Sequence, residues 1–136
     1  MAATGDAELR EILQFDRVAV VGCSRDPEKD AHRIPKYLLE QGYVIVPVNP
    51  YAEEVFGRDT YDTLTDVPGR VDIVEVFRPS EEVAGIVDTA IGRDDVDVVW
   101  TQLGIRDDAA AERAAAAGLR VVQDRCMMVE HRRLFG

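Results

Sequence analysis

The chain has 136 residues, 46% apolar and 31% charged, with 26 acidic side chains against 16 basic ones and a net charge of −10. That length suits one domain around one core. The acidic excess disfavours generic DNA and anionic membrane surfaces, and no stretch nears the ~18–20 apolar residues that span a bilayer.

The segment Met1–Asp6 has neither the basic start nor the apolar centre of a secretory signal, so the expectation is a cytoplasmic protein. Only Lys29 and Lys36 are lysines, against fourteen arginines. Adaptation to high internal salt and a GC-rich genome both produce that bias, and both readings stay open. The two cysteines, Cys23 and Cys126, give neither a disulfide framework nor a metal spacing.

In chain order, Ala7–Phe15 reads as a short amphipathic helix within an N-terminal segment of residues 1–15, with Leu9, Ile12, Leu13 and Phe15 on one side. Arg17–Val21 is a continuously apolar strand, as expected where both faces are covered. A polar loop, Cys23–Arg33, leads to a helix with Pro35 in its first turn and Gly42 just past its end. Tyr43–Val48 is a second strand, ended by Asn49-Pro50. Residues 50–70 read as an irregular connection with one short helical turn, and Val71–Phe77 as a third strand. Ser80 is the expected N-cap of a helix that buries Val83, Ile86, Val87 and Ile91. Val96–Thr101 is a fourth strand, Asp107 or Asp108 caps an alanine-rich helix ending at Gly118, and Leu119–Val122 is a fifth strand. Cys126–Phe135 closes the chain as a short helix or turn.

Alternating strands and helices of this kind predict one α/β domain over residues 1–136. Its core is a doubly wound, Rossmann-like parallel sheet of five strands in the order 3-2-1-4-5. Ligands of such sheets bind beyond the carboxyl ends of the strands. Those ends carry Gly22, Cys23, Ser24 and Arg25; Asn49 and Pro50; Phe77, Arg78 and Pro79; Gln102, Gly104 and Ile105; and Asp124, Arg125 and Cys126. Gly22 permits close backbone approach, and the helix after Ser24 offers N–H groups to phosphate. Arg25, Lys29, Arg33 and Lys36 lie in or beside that loop, offset by Asp26, Glu28 and Asp30. By charge alone, a phosphate site and a solvated loop of mixed charge fit equally. Gly-x-Gly-x-x-Gly, Walker A and Gly-x-Ser-x-Gly patterns are absent. His32 and His131 belong to no metal spacing. The plainer reading of each cysteine is a small packed residue.

In combination, Val21-Gly22-Cys23-Ser24, Val46-Pro47-Val48-Asn49-Pro50, Val76-Phe77-Arg78-Pro79, Trp100-Thr101-Gln102-Leu103-Gly104-Ile105 and Asp124–His131 resemble the small single-domain CoA-binding proteins. Those in turn are similar to the CoA-binding domain of the succinyl-CoA synthetase α subunit. The resemblance runs from about Phe15 to Phe135. It implies coenzyme A or an acyl-CoA as ligand, with Gly22, Ser24 and Arg25 at the phosphates and Asn49-Pro50 beside the adenosine. It also implies a wall of Phe77, Arg78 and Pro79, with Gln102, Gly104 and Ile105 along the pantetheine arm and Asp124 and Cys126 near its far end. Where the synthetase's first loop is richer in glycine, this chain has Arg25-Asp26-Pro27-Glu28-Lys29-Asp30. Its 136 residues leave no room for the synthetase's second domain with a phosphorylated histidine, so ligase activity is not expected.

Non-catalytic binding of CoA therefore stands first. An NAD(P)-dependent enzyme stands second, weakened by the missing glycines and by Asn49 in place of a ribose-binding acid. A thiol protein forming a mixed disulfide between CoA and Cys23 or Cys126 stands third. A homodimer or another protein partner is left open, and no metal or catalytic residue is expected.

Overall fold

The computed structural model describes residues 5–136. A parallel sheet of five strands, β1 (Arg17–Val21), β2 (Val44–Val48), β5 (Ile73–Val76), β6 (Val98–Thr101) and β7 (Arg120–Val122), runs through the centre. A small antiparallel hairpin, β3 (Glu54–Val55) and β4 (Arg58–Asp59), interrupts the passage from β2 to β5. Helices α1 (Asp6–Ile12), α2 (Asp30–Glu40) and α5 (Met127–Phe135) cover one face of the sheet, and α3 (Val83–Gly92) and α4 (Asp108–Ala116) the other. Of the expected 1–15 segment, residues 1–4 lie outside the described part, and the helix itself spans Asp6–Ile12.

Alternation along each strand explains both cores. Val18, Val20, Ile73, Val98, Trp100 and Val122 turn towards Leu9, Ile34, Leu38 and Met127. Ala19, Val21, Val46, Val74, Val76, Val99 and Val121 turn towards Val83, Val87, Ala110 and Ala114. A strand buried on both faces has no polar side to show, so its sequence is apolar throughout. Among the described residues no helix is long and apolar enough to cross a membrane.

The strand order corrects the expected one. The five strands run β2-β1-β5-β6-β7, so the third full strand lies beside the first, not beyond the second. The cause is in residues 50–70. Tyr61 makes a single parallel bridge to Val48, with its N–H on Pro47 O and its O accepting from Asn49 N–H. This one-residue strand occupies the outer edge of β2, where a third Rossmann strand would lie. Pro47 is tolerated inside β2 because its missing N–H falls on that sparse outer side. The chain then crosses to the other side of β1, so the order reverses between β1 and β5, opening a crevice there.

Two local expectations also change. Pro35 lies well inside α2, which starts at Asp30. Lacking an N–H, it leaves Ala31 O without its helical donor, and that carbonyl accepts the Ser24 N–H instead at 3.0 Å. Ser80 is not the N-cap of α3: it opens a 3₁₀ turn, Ser80–Glu82, and its Oγ accepts the Arg106 N–H at 2.9 Å. Asp107 caps α4 as expected, accepting from Ala110 N–H.

Candidate functional site

At the reversal point the carboxyl ends of β1, β2 and β5 surround an open cleft of about 750 Å³. That size falls within the roughly 300–1,000 Å³ of small-molecule sites. The turn after β1 forms its floor. Gly22 has φ +90°, and a Cβ there would come within 2.9 Å of Arg78 Cδ. Glycine is required twice over, by the backbone and by the Arg78 stem lying against it. Cys23 is buried beneath, and Ser24 returns to the cleft wall.

Helix α2 holds this turn from the other side. Besides the Ser24 N–H on Ala31 O, His32 Nδ1–H donates to Ser24 O at 2.7 Å. Ser24 Oγ accepts the Asp26 N–H at 3.0 Å, closing a small side-chain turn. Lys29 and Ala31 reach the cleft wall, so the positive end of the α2 dipole lies at the cleft.

Asn49 braces the tips of β1 and β2. Its Nδ2 donates to Cys23 O at 2.9 Å and its Oδ1 accepts the Tyr51 N–H at 2.7 Å. Both ends of the amide are thus engaged in holding loops. Pro50 and the highly exposed Tyr51 continue the wall. Asp62, Thr63 and Leu64 close it on the outer side. That outer side is fastened from below: Arg93 NH1 donates to Leu64 O and Val67 O at 2.9 and 3.0 Å, and NH2 to Gly69 O at 2.9 Å, with Asp95 paired to the same guanidinium.

From β5 come Phe77 and Arg78, and from the α3 side Glu81, Glu82, Gly85, Ile86 and Thr89. Arg78 forms a two-pronged ion pair with Glu82, Nε to Oε1 at 3.1 Å and NH2 to Oε2 at 2.8 Å. That pairing holds the Glu82 carboxyl below its ordinary pKa and raises that of Arg78.

Of the strand-tip and loop residues singled out in the sequence, the cleft gathers Gly22, Ser24, Lys29, Asn49, Pro50, Phe77 and Arg78. Arg25 and Arg33 are exposed on the loop and on α2, Arg33 paired with Asp30, and Pro79 is exposed beyond Arg78. A second group sits at the tips of β6 and β7. Gly104 N–H donates to Asp124 Oδ1 at 2.6 Å, and Ile105 O accepts from Thr101 Oγ1 at 2.7 Å. Cys126, half-buried, starts α5. Gln102 is buried between two partners: its Nε2 donates to Glu75 Oε2, and its Oε1 accepts from Met127 N–H at 3.3 Å.

Lys29, named in the sequence as a cation of the Ser24 loop, does reach the wall, whereas Asp62, Thr63, Glu81, Glu82 and Thr89 were missed. The Thr60–Thr63 stretch follows no apolar run, so its one-bridge strand left no periodic signal. Glu81 and Glu82 follow Ser80 where a helix dipole favours acids, so their sequence carries no separate site signal. Glu75 was also missed inside an apolar strand. It is fully buried, its Oε1 has no hydrogen-bond partner among the described residues, and burial pushes its carboxyl up to about 8. Burial, reinforced by Glu75, pushes the Cys23 thiol up to about 12, so Cys23 stays a protonated, packed thiol.

The sequence pattern described as the CoA binding domain matches residues 16–132. The chain belongs to this family. It is 37% identical over 126 residues to the protein YneT of Bacillus subtilis, covering 92% of this chain and 93% of that one. A protein of Pyrococcus horikoshii OT3 superposes with a TM-score of 0.94 at 41% identity, covering 98% and 94% of the two chains. A shorter stretch of 67 residues, 48% of this chain, is 39% identical to the acetate–CoA ligase (ADP-forming) II α subunit of Pyrococcus furiosus. It accounts for only 15% of that subunit. About half of this chain is thus similar to part of a CoA ligase subunit, in line with the resemblance.

Proposed function

We propose that this protein binds coenzyme A or an acyl-CoA at the carboxyl ends of its parallel strands, as a binding module without chemistry of its own. The observation that carries the reading is the cleft at the β1/β5 reversal. There Gly22, Ser24, Phe77 and Arg78 converge with the positive end of α2, in a chain of the CoA binding domain family. Lys29, Arg78 and the α2 terminus supply charge for phosphates. Pro50, Tyr51, Leu64 and Ile86 offer apolar surface to the adenine. The pantetheine arm then crosses the β5 tip towards Gly104, Ile105 and Cys126, the only other group of sequence-flagged tip residues.

The polar side chains of the cleft support binding over catalysis. Ser24 Oγ receives a backbone amide, Asn49 braces two loops, and Arg78 answers a carboxylate. Cys23, beneath the floor, is buried and protonated, which disfavours a mixed disulfide there.

Thermal denaturation tests the reading. A ligand that binds only the folded state raises the melting temperature in proportion to the logarithm of its concentration above Kd. CoA and acetyl-CoA at millimolar concentration should raise Tm by several degrees, and NADH by less than one. A shift with NADH and none with CoA would overturn it in favour of a dinucleotide enzyme.

A further inference from the structure

We propose that Glu82 is an internal stand-in for a ligand phosphate, and that its exchange off Arg78 sets the affinity of the cleft. This rests on the CoA reading above and adds a residue to it. Among the described residues, Arg78 supplies the guanidinium on the cleft wall and Lys29 the other cation there. Three carboxylates, Asp62, Glu81 and Glu82, share that wall. The planar fork of Arg78, Nε and NH2, is taken up by both oxygens of Glu82 at 3.1 and 2.8 Å. A phosphate bonds the same fork in the same two-pronged manner.

The geometry favours exchange over permanent pairing. The stem of Arg78 lies against Gly22, whose lack of a Cβ leaves space for it, so the guanidinium is presented at the β1 tip with or without Glu82. The Glu82 side chain makes no other hydrogen bond among the described residues, and the two side chains are 45% and 46% exposed. An ion pair so open to water is weakly held. A phosphate monoester carries up to two charges and three acceptor oxygens, against one charge and two oxygens in a carboxylate. It therefore displaces Glu82, which swings to solvent. The carboxylate nonetheless competes for the fork and repels the incoming anion, so it lowers affinity and punishes ligands with fewer phosphate charges most.

The test is calorimetric titration of CoA, and of 3′-dephospho-CoA, into the wild type and the E81Q, E82Q and E82A variants, with folding checked by circular dichroism. E82Q and E82A should bind CoA about five- to tenfold more tightly than the wild type, and E81Q less than twofold. The gain should be larger for dephospho-CoA if the fork meets the diphosphate and absent if it meets only the 3′-phosphate, and either pattern supports exchange. Unchanged or weaker CoA binding by both Glu82 variants, with the wild type binding, overturns the stand-in role alone. Equal gains in E81Q overturn it as well, since bulk charge would then suffice. No binding by any of the four proteins overturns the CoA reading and the proposal together.

Discussion

Glu75 shows how one side chain can stand against its surroundings. It sits in the middle strand opposite Val20 and Trp100, on a face otherwise filled with apolar residues. Gln102 satisfies one carboxyl oxygen, and the other has no partner among the described residues. A charged carboxylate there is costly, so the acid keeps its proton to about pH 8 in the folded protein, against an ordinary value of 4.5. Between these values the unfolded chain has released the proton and the folded one has not. The folded state therefore binds more protons, and stability falls as pH rises. Denaturant unfolding should lose roughly 3–5 kcal/mol between pH 5 and pH 9 from this group. The Glu75→Gln variant should flatten that slope. A wild-type profile no steeper than that of the variant would show the carboxyl to be solvated.

At the scale of elements, the cleft depends on fastenings away from it. Arg93 joins the start of the β6 approach to the 64–69 turn through three carbonyls and Asp95, and its guanidinium is largely buried. Arg93→Ala leaves those carbonyls unanswered and should cost about 2–3 kcal/mol in urea unfolding. Because Leu64 forms part of the cleft, the variant should also bind CoA several-fold more weakly; a loss of stability with intact binding would separate the turn from the site. These couplings explain what could be read in the sequence. The five strands and the caps at Asp107, Gly42 and Gly118 follow local rules of periodicity and backbone conformation, so they are visible residue by residue. Strand order is not local. It turned on Tyr61, one bridging residue in a stretch with no apolar alternation. Pro35 misled for a similar reason: the rule placing it in a first turn supposes that the carbonyl four residues before it has no other donor, yet Ser24 supplies one to Ala31 O from a different element. Within the site, glycine, asparagine and arginine at the β1, β2 and β5 tips were legible. The walls contributed by Asp62–Leu64 and Glu81–Glu82 came from packing between segments distant in sequence.

For the whole molecule, charge is the governing quantity. On the proposed function, a chain of net charge −10 would meet a ligand with several phosphate charges at a cleft lined, among the described residues, by three carboxylates and two cations. Long-range repulsion acts over a Debye length of about 10 Å at 0.1 M salt and shrinks to about 3 Å at 1 M. The short contacts of Arg78 and Lys29 are screened less than this diffuse field. Affinity for CoA should consequently rise a few-fold between 0.05 and 0.5 M KCl, whereas a cation-lined phosphate site loses affinity over the same range. A monotonic fall would mean that local cation–phosphate contacts outweigh the field of the whole surface. Both the salt response and the Glu82 exchange presuppose one event, the entry of CoA into the cleft between β1 and β5. Calorimetric titration of CoA into the wild type and Arg78→Ala at 0.5 M KCl measures it directly. One CoA per chain, with at least tenfold weaker binding by the variant, is the expected result; no saturable heat at millimolar CoA, or identical binding by both proteins, would contradict it.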